Sequence, residues 1–183
     1  MYADFRMPEL DEMWNEVLRE AKNSAANLGR RDVVEYLQLR EANDAARNVG
    51  IDWLFATFLE VAAEANRRGL SLATEKLAPH SFKIGAATMQ GEKIRLSFGV
   101  RALNVEAGFP RTPADGFVHG GGLAAARITH FGIAKANANL LLVRANSNSQ
   151  DAPVWLTVDD QNLRQQFSTV HLKNHFAVFL GQV

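Results

Sequence analysis

The apolar residues of this chain change their spacing near Gly69, and this change limits the folds available to it. Before Gly69, apolar side chains recur at the i, i+3, i+4 intervals of amphipathic helices, whereas afterwards they alternate with polar residues in short runs. Helices therefore come first, and strands then follow one another without the long crossovers that parallel neighbours require. This order predicts an α+β fold, with an N-terminal three-helix region packed on a mostly antiparallel sheet of about five to seven strands.

Glycines separate the three predicted helices. The first begins near Pro8 and ends at Gly29, the second ends at Gly50, and the third ends at Gly69. The third helix has the clearest apolar stripe, and we expect this stripe to cover the apolar face of the sheet. Its members are Leu54, Phe55, Phe58, Leu59, Ala62 and Ala65.

A hairpin is predicted around the segment Gln90-Gly91-Glu92, because residues 82–88 and 94–100 both alternate. A three-residue loop would keep the two apolar sets on one face by pairing Ile84 with Phe98. Such a loop places Gly91 or a neighbour at positive φ. The buried set would be Ile94, Leu96, Phe98 and Val100, with Arg95 on the opposite face.

The alternation changes parity after Arg101, so the chain either continues as a bulged strand or turns a tight corner into a new strand. Further strands are predicted at 123–131, 139–145, 153–158 and 175–180. Residues 159–167 are predicted to form a short helix, with a hairpin arm as the alternative.

Length and composition limit the class of protein. The 183 residues are expected to form a single domain, with a helical part at 1–69 and a mainly β part at 70–183. There is no cysteine, which excludes disulfides, thiolate chemistry and cysteine-ligated metal sites. The N-terminus shows no apolar leader, and no apolar run approaches ~18 residues, so we expect a cytoplasmic protein without a membrane span.

The net charge is zero, but acidic and basic residues are unevenly distributed. Residues 1–69 carry 13 acidic and 9 basic side chains, whereas the remainder carries 7 acidic and 11 basic ones. Either the two parts attract each other, or the C-terminal part presents an anion-binding face. An isoelectric point near 7.0 makes nucleic acid an unlikely partner.

The segment 108–122 is the most irregular part of the β region. It contains five of the 13 glycines and two of the five prolines, so its backbone cannot form a regular strand. Long loops of this kind often carry function. We therefore expect Phe109 and Phe117 to pin the loop to the body of the protein, so that its polar groups are held in a fixed arrangement.

Two candidate sites lie in this loop. In the first, His119 would act as acid or base, Asp115 would orient it, and Arg111 would hold an anionic group. In the second, the backbone of Gly120, Gly121 and Gly122 would bind an anion. The structural alternative to the first site is a turn at Asp115-Gly116, with Arg111 paired to a nearby carboxylate and His119 hydrogen-bonded to the backbone. The alternative to the second is a flexible turn or close packing of backbones. The glycines match neither the phosphate-binding loop nor the dinucleotide fingerprint.

Other polar groups have simpler interpretations. His171 and His175 would share a helix face as metal ligands, but their segment has poor helical character and lacks the glutamate of the usual motif, so no metal site and no cofactor are predicted. His130 is expected to be a hydrogen-bonded structural histidine. Lys93, Arg95 and Arg101 are expected to share a solvated sheet face.

No motif in the chain defines a chemistry, so the predicted function depends largely on this absence. The favoured hypothesis is a cytoplasmic, non-enzymatic binding or protein-interaction module that takes a small anionic ligand or a protein partner and could self-associate. The alternative is a small enzyme acting on an anionic small molecule through the loop residues Arg111, Asp115 and His119.

Overall fold

The computed structural model describes residues 8–144 and 152–182. The chain divides into two compact units, Met1–Ala45 and Ala46–Val183. Helix α1 is Pro8–Asn27, and helix α2, Arg31–Arg67, begins in the first unit and continues through the first part of the second. The rest of the second unit holds seven strands and a C-terminal helix α3, Thr169–Leu180, within the described ranges.

The seven strands form one antiparallel sheet whose spatial order follows the chain. Each strand therefore pairs with its neighbour in the sequence, which confirms the predicted α+β class and the antiparallel pairing. The strands are β1 (Ala73–Ile84), β2 (Ala87–Phe98), β3 (Arg101–Phe109), β4 (Ala124–His130), β5 (Ala138–Arg144), β6 (Pro153–Val158) and β7 (Arg164–Gln166).

The N-terminal region contains two helices, not the predicted three, because α2 continues through Gly50 without a break. Gly50 allows α2 to pack closely against the sheet, since a Cβ at this position would lie 2.6 Å from the Leu142 side chain. The indole Nε1 of Trp155 donates to the Gly50 carbonyl at 2.7 Å, which fixes the helix on the sheet. A glycine that permits close approach was therefore mistaken for a helix stop.

Helices α2 and α3 supply the apolar side chains that cover one face of the sheet, here called the covered face. The stripe predicted for the third helix is confirmed, since four of its six members are buried and the other two pack against the core. The centre of this core is aromatic: the Phe58 ring lies 6.2 Å from Phe167 and 5.9 Å from Phe176.

The predicted hairpin loop at 90–92 is wrong. The turn consists of Gly85 and Ala86, Ile84 pairs with Ala87, and Gly91 lies inside β2 without positive φ. The two-residue turn is shorter than the predicted loop and lies five residues earlier in the chain.

The apolar set predicted for this hairpin is confirmed only in part. Ile94 and Leu96 are buried and Phe98 packs partly buried against the core, but Val100 is 90% exposed. Val100 belongs to the turn between β2 and β3, so the alternation of β2 does not extend to it. The parity change after Arg101 is therefore a tight corner into a new strand, which was one of the two predicted alternatives.

Gly91 faces Gly108 across the β2–β3 pair at a close approach of the two backbones. A Cβ on Gly91 would lie 2.6 Å from the Gly108 Cα, and a Cβ on Gly108 would lie 2.7 Å from the Gln90 oxygen. On β1 the register shifts between Leu77 and His80, next to the same place. Bulges and glycines at one level of a sheet are the usual devices for bending it.

The bend brings the tip of the β1–β2 hairpin over β4, although two strands separate β1 from β4 in the sheet. Phe82 belongs to a small buried cluster with Ala125 of β4, and the Lys83 carbonyl accepts a hydrogen bond from Arg127. The hairpin tip therefore partly covers the second face of the sheet, here called the open face.

The C-terminal predictions are also corrected. The segment 175–180, predicted as a strand, belongs to α3, whose buried residues Leu172, Phe176 and Phe179 follow helical spacing. Residues 159–167, predicted as a short helix, contain a turn and β7, so the hairpin-arm alternative is correct. Among the described residues, no helix has the length and apolar character needed to cross a membrane.

Candidate functional site

A buried carboxylate lies at the centre of the open face. Glu106 of β3 is only 6% exposed, and its strand neighbours Lys93 and Arg127 lie directly opposite it. Arg127 donates to Oε2 through Nε at 3.0 Å and Nη2 at 2.6 Å. His80 Nε2 lies 2.8 Å from Oε1, and Lys93 Nζ lies 3.8 Å from the same oxygen.

These partners keep Glu106 ionised. Burial raises the pKa of Glu106, but hydrogen bonds from Arg127 and His80, together with the charges of Arg127 and Lys93, outweigh burial and lower it below its ordinary value. The carboxylate is therefore an anion at neutral pH, and it holds the Arg127 guanidinium in a two-point contact of defined geometry.

Arg127 is held from a second direction by the hairpin tip. Its Nη1 donates to the Lys83 carbonyl at 3.5 Å, and its guanidinium carbon lies 5.9 Å from the centre of the Phe82 ring. Together with the bonds to Glu106, three of its donors are used, and a guanidinium has five. Two of its donors therefore make no hydrogen bond within the described residues.

A polar cleft of about 480 Å³ opens next to Arg127, and we call it the hairpin cleft. Its walls come from the tip of the β1–β2 hairpin, the centre of β4, the β4–β5 connection with the start of β5, and the β6–β7 turn. The lining residues are Lys83, Ile84, Gly85, Arg127, Ala134, Lys135, Asn137, Ala138, Asn139 and Asp160.

The lining contains three cationic side chains, Lys83, Arg127 and Lys135, and one carboxylate, Asp160; the Arg127 charge is paired with Glu106 beneath the cleft. The Lys83 and Lys135 side chains are exposed, and within the described part of the chain neither side chain makes a hydrogen bond or an ion pair. Asn137 accepts the His130 backbone N–H at 2.8 Å through Oδ1, which leaves its amide donors available to the cleft.

The residues predicted as the loop site, Arg111, Asp115 and His119, are not among those that line the hairpin cleft. The Arg111 guanidinium lies 4.1 Å from the Phe109 ring centre, and Arg47 of α2 contacts the same ring. Asp115 accepts hydrogen bonds from the backbone N–H of Thr112 at 3.0 Å and from that of Arg111 at 3.2 Å. These hydrogen bonds lower the pKa of Asp115, and the bond from Thr112 has the larger effect.

His119 is exposed, and its ring lies beside Gly85 at the hairpin tip. Within residues 8–144 and 152–182, no hydrogen bond joins it to Asp115 or Arg111. The proposed orientation of His119 by Asp115 thus has no contact to support it, and the enzymatic alternative stays a prediction.

Gly120 and Gly122 of this loop pack closely against side chains of the sheet, whereas a Cβ on Gly121 would meet nothing within 4 Å. A Cβ on Gly120 would lie 2.5 Å from the Arg164 guanidinium, and Leu141 leaves no space for one on Gly122. Gly120 and Gly121 have positive φ. These contacts fit the structural alternative of close packing, and anion binding by the glycine backbone stays a prediction.

The predicted pinning of the loop is correct at one of its two aromatic residues. Phe109 is buried, but Phe117 is 79% exposed. Val118 makes the contact expected of Phe117, since it packs against the buried cluster that contains Phe82.

Lys93 and Arg95 lie on the open face as predicted, but Arg101 does not share it. Arg101 lies on the covered side, where its Nη1 donates to the Val178 carbonyl of α3 at 3.2 Å. Its place in β3 explains this, because odd-numbered residues there, including Leu103 and Val105, point into the core.

The histidines of α3 form a second polar cluster, at the covered face. His171 and His175 do lie one helical turn apart, so the prediction of poor helical character is wrong. His175 Nδ1 lies 2.9 Å from His130 Nε2, and the two rings stack at 5.2 Å. The described residues contain no group of three or more ligating side chains that could hold a metal ion.

This pair predicts a loss of stability in mild acid. Burial lowers the pKa of His175 to about 4, with further contributions from the charges of His130 and His171, and burial also lowers the pKa of His130. Between the ordinary value near 6.5 and about 4, the unfolded chain binds the proton more readily than the folded one. The free energy of unfolding should therefore fall by about 2 kcal/mol between pH 7 and pH 5.

Urea denaturation at both pH values measures this change. The variant His175→Phe, which keeps an aromatic ring against Phe167, should show a clearly smaller difference between the two pH values. Equal pH dependence in the variant and the parent protein would contradict the assignment to His175.

The sequence analysis missed Glu106 and Arg127 as site residues, although a signal was present. Each is the one strongly charged side chain inside a mostly apolar strand, in LNVEAGF and AAARITH. Buried charges in such strands are seldom tolerated without a partner. Lys83, Lys135 and Asp160 carried no comparable signal, since the cleft forms only when the hairpin bends.

Comparisons with known proteins do not assign the chain to a family: no family model, no curated protein and no solved structure matches it.

Proposed function

We propose that the protein is a cytoplasmic, non-enzymatic binding module and that the hairpin cleft binds a small anionic ligand. The observation that carries the proposal is the charge of the lining: the Arg127 charge is paired with Glu106, but Lys83 and Lys135 have no acidic partner within the described residues, and Asp160 is the one carboxylate of the lining. Lysine and arginine side chains that converge on one concavity attract and bind anions.

The fixed position of Arg127 supports this proposal. A side chain that is already ordered loses little conformational entropy when a ligand binds. The buried Glu106 and the Lys83 carbonyl hold the guanidinium before any ligand arrives, while two of its donors make no hydrogen bond within the described residues.

The two lysines support it in a different way. Lys83 is presented by the hairpin tip, and Lys135 by a single turn of 3-10 helix between β4 and β5. Neither is neutralised by a carboxylate within the described residues, so both charges are available to a ligand. The uneven distribution of charge along the sequence agrees with such an anion-binding face.

The chemistry of the lining favours binding over catalysis. Among the ten residues that line the cleft there is no imidazole, hydroxyl or thiol group. Hydroxyl and thiol nucleophiles and the group that most often transfers protons near neutral pH are therefore missing from this lining. Its charged and amide groups suit recognition of a ligand.

The proposed binding module also includes binding to a protein partner or to a second copy of the chain. It is supported by apolar side chains on the surface, of which Val100, Phe117 and Phe131 are at least 72% exposed. The cytoplasmic location is supported by the absence of cysteine from the sequence.

Titration with inorganic phosphate at low ionic strength, followed by isothermal calorimetry, tests the proposed site. The double variant Lys83→Gln, Lys135→Gln should bind phosphate at least about tenfold more weakly, because two charged donors are lost. As a matched control, Lys173→Gln removes an exposed lysine from α3, outside the cleft, and should bind like the parent protein. Equal affinity in the double variant, or no phosphate binding by the parent, would refute the proposal.

A further inference from the structure

Three turns at one end of the sheet each expose a large apolar side chain. The strand register places the β2–β3 turn, the β4–β5 connection and the β6–β7 turn at this end, which we call the turn end. Val100, Phe131 and Leu163 lie one in each turn, and they are 90%, 72% and 64% exposed. Apolar side chains gathered on one part of a surface mark an interaction site, whereas isolated ones do not.

Two of these side chains lie on turns that hydrogen bonds hold in place. In the β6–β7 turn, Asp159 Oδ1 accepts the backbone N–H of Leu163 at 2.8 Å. The backbone N–H of Phe131 donates to the Ala102 carbonyl at 2.9 Å, which ties the beginning of the β4–β5 connection to β3. Groups that are already ordered lose little conformational entropy on association, so the turn end is preorganised for a partner.

The charges of the turn end change sign along it. Arg101 follows the β2–β3 turn and Asp160 lies in the β6–β7 turn; both are exposed, and within the described residues neither forms an ion pair. Strand spacing puts these two turns about 20 Å apart, with the Phe131 connection midway between them. Arg164 does not neutralise Asp160, because its guanidinium lies beside Gly120 of the β3–β4 loop. The turn end is therefore basic on one side, apolar in the middle and acidic on the other side.

A second copy of the chain fits this order of charges. Two copies that meet end to end, about a two-fold axis through their Phe131 connections, present their turns to each other in reversed order. Arg101 of each copy then meets Asp160 of the other, and apolar side chains meet between these charge pairs. An anionic lipid surface would instead repel the carboxylates of Asp159 and Asp160. We infer that the turn end is the contact surface of a homodimer, an inference that rests on the self-association included in the proposed function.

Sedimentation equilibrium over a range of about 1 to 500 μM tests this inference, and the limited apolar surface predicts a dissociation constant on the order of 10 μM. Phe131→Ser should weaken the dimer at least about tenfold, because the central apolar contact is lost. Phe117→Ser is the matched control, since Phe117 is 79% exposed in the β3–β4 loop at the opposite end of the sheet. A monomeric parent at the highest concentration, or equal effects of the two variants, would overturn the inference.

Exchange of the two charges gives a sharper signature. Arg101→Asp and Asp160→Lys each bring like charges together at both contacts, so each variant alone should self-associate at least about tenfold more weakly than the parent. A mixture of the two variants has opposite charges at both contacts and should associate about as tightly as the parent. Restored association also shows that both variants are folded. A mixture that associates no better than its components would overturn the two-fold arrangement.

Lys135 separates this inference from the proposed anion site. It lies in the middle connection, where it approaches its own copy near the two-fold axis and opposes association. Lys135→Gln should therefore self-associate as tightly as the parent or more tightly, although it removes a charge from the hairpin cleft. A dimer weakened several-fold by this variant would overturn the arrangement.

Failure of the dimer is distinguishable from failure of anion binding. A parent protein that is monomeric but binds phosphate through Lys83 and Lys135 would make only the dimer wrong. A dimer that depends on Phe131, in a protein without phosphate binding, would make only the anion site wrong. Binding of a monomeric parent to phosphatidylcholine vesicles, lost in Phe131→Ser, would identify a lipid surface and overturn the dimer.

Discussion

Replacing Phe58 by alanine is expected to lower the free energy of unfolding by about 3–5 kcal/mol. Phe58 is fully buried between α2 and the sheet, and its ring packs against both Phe167 and Phe176. The truncation removes the burial of a whole ring and leaves a cavity that the rigid sheet cannot close. Such a loss is a large part of the stability of a chain of this size.

Urea denaturation monitored by circular dichroism measures this loss. Glu60→Ala, on the exposed side of the same helix, serves as the control, because it truncates a side chain without opening the core. This control should change the free energy of unfolding by less than about 0.5 kcal/mol. A cost below about 1 kcal/mol for Phe58→Ala would show that α2 does not cover the sheet as described.

Replacing Gly91 by alanine is expected to cost about 3 kcal/mol or more and to displace the β1–β2 hairpin. The added methyl group would meet the backbone of Ala107 and Gly108, and backbone atoms cannot move aside as a flexible side chain can. Because the hairpin supplies Lys83 and its neighbours to the cleft, anion binding should fall in parallel with stability.

Two measurements separate local from global effects of this variant. Thermal unfolding reports the loss of stability, and phosphate titration well below the melting temperature reports the state of the cleft. Arg95→Ala, at an exposed position of the same strand, should alter stability by less than about 0.5 kcal/mol. If Gly91→Ala keeps both the stability and the phosphate affinity of the parent, the close contact between β2 and β3 is not as described.

The parts of the fold that were predicted correctly are those whose signal is local. The stripe from Leu54 to Ala65 identifies the buried face of a helix without reference to the rest of the chain. The alternation from Ile94 to Leu96 likewise identifies a half-buried strand.

Two of the errors occurred at glycines, because one residue type serves several structural purposes. Gly50 was interpreted as a helix stop and Gly91 as a turn, yet both are glycines because another part of the chain packs against them. Distinguishing these uses requires the tertiary partners, Leu142 for Gly50 and the β3 backbone for Gly91, which lie at a distance in the sequence.

The hairpin cleft could be predicted only in part for the same reason. The excess of basic residues after Gly69 left an anion-binding face as one of two alternatives, without its location. The pairing of Glu106 with Arg127 depends on the register of β3 and β4, and the approach of Lys83 depends on the bend at Gly91. The density of glycine and proline at 108–122 instead directed attention to a loop that packs on the sheet.

The most direct test of anion binding in the hairpin cleft is a two-dimensional amide NMR titration of the whole protein with inorganic phosphate. The account predicts shift changes concentrated at residues 83–85, 134–139 and 160, with the Arg127 side-chain Nε–H signal moving in the same titration. Changes centred on Arg111, Asp115 and His119, or no changes at millimolar ligand, would contradict it.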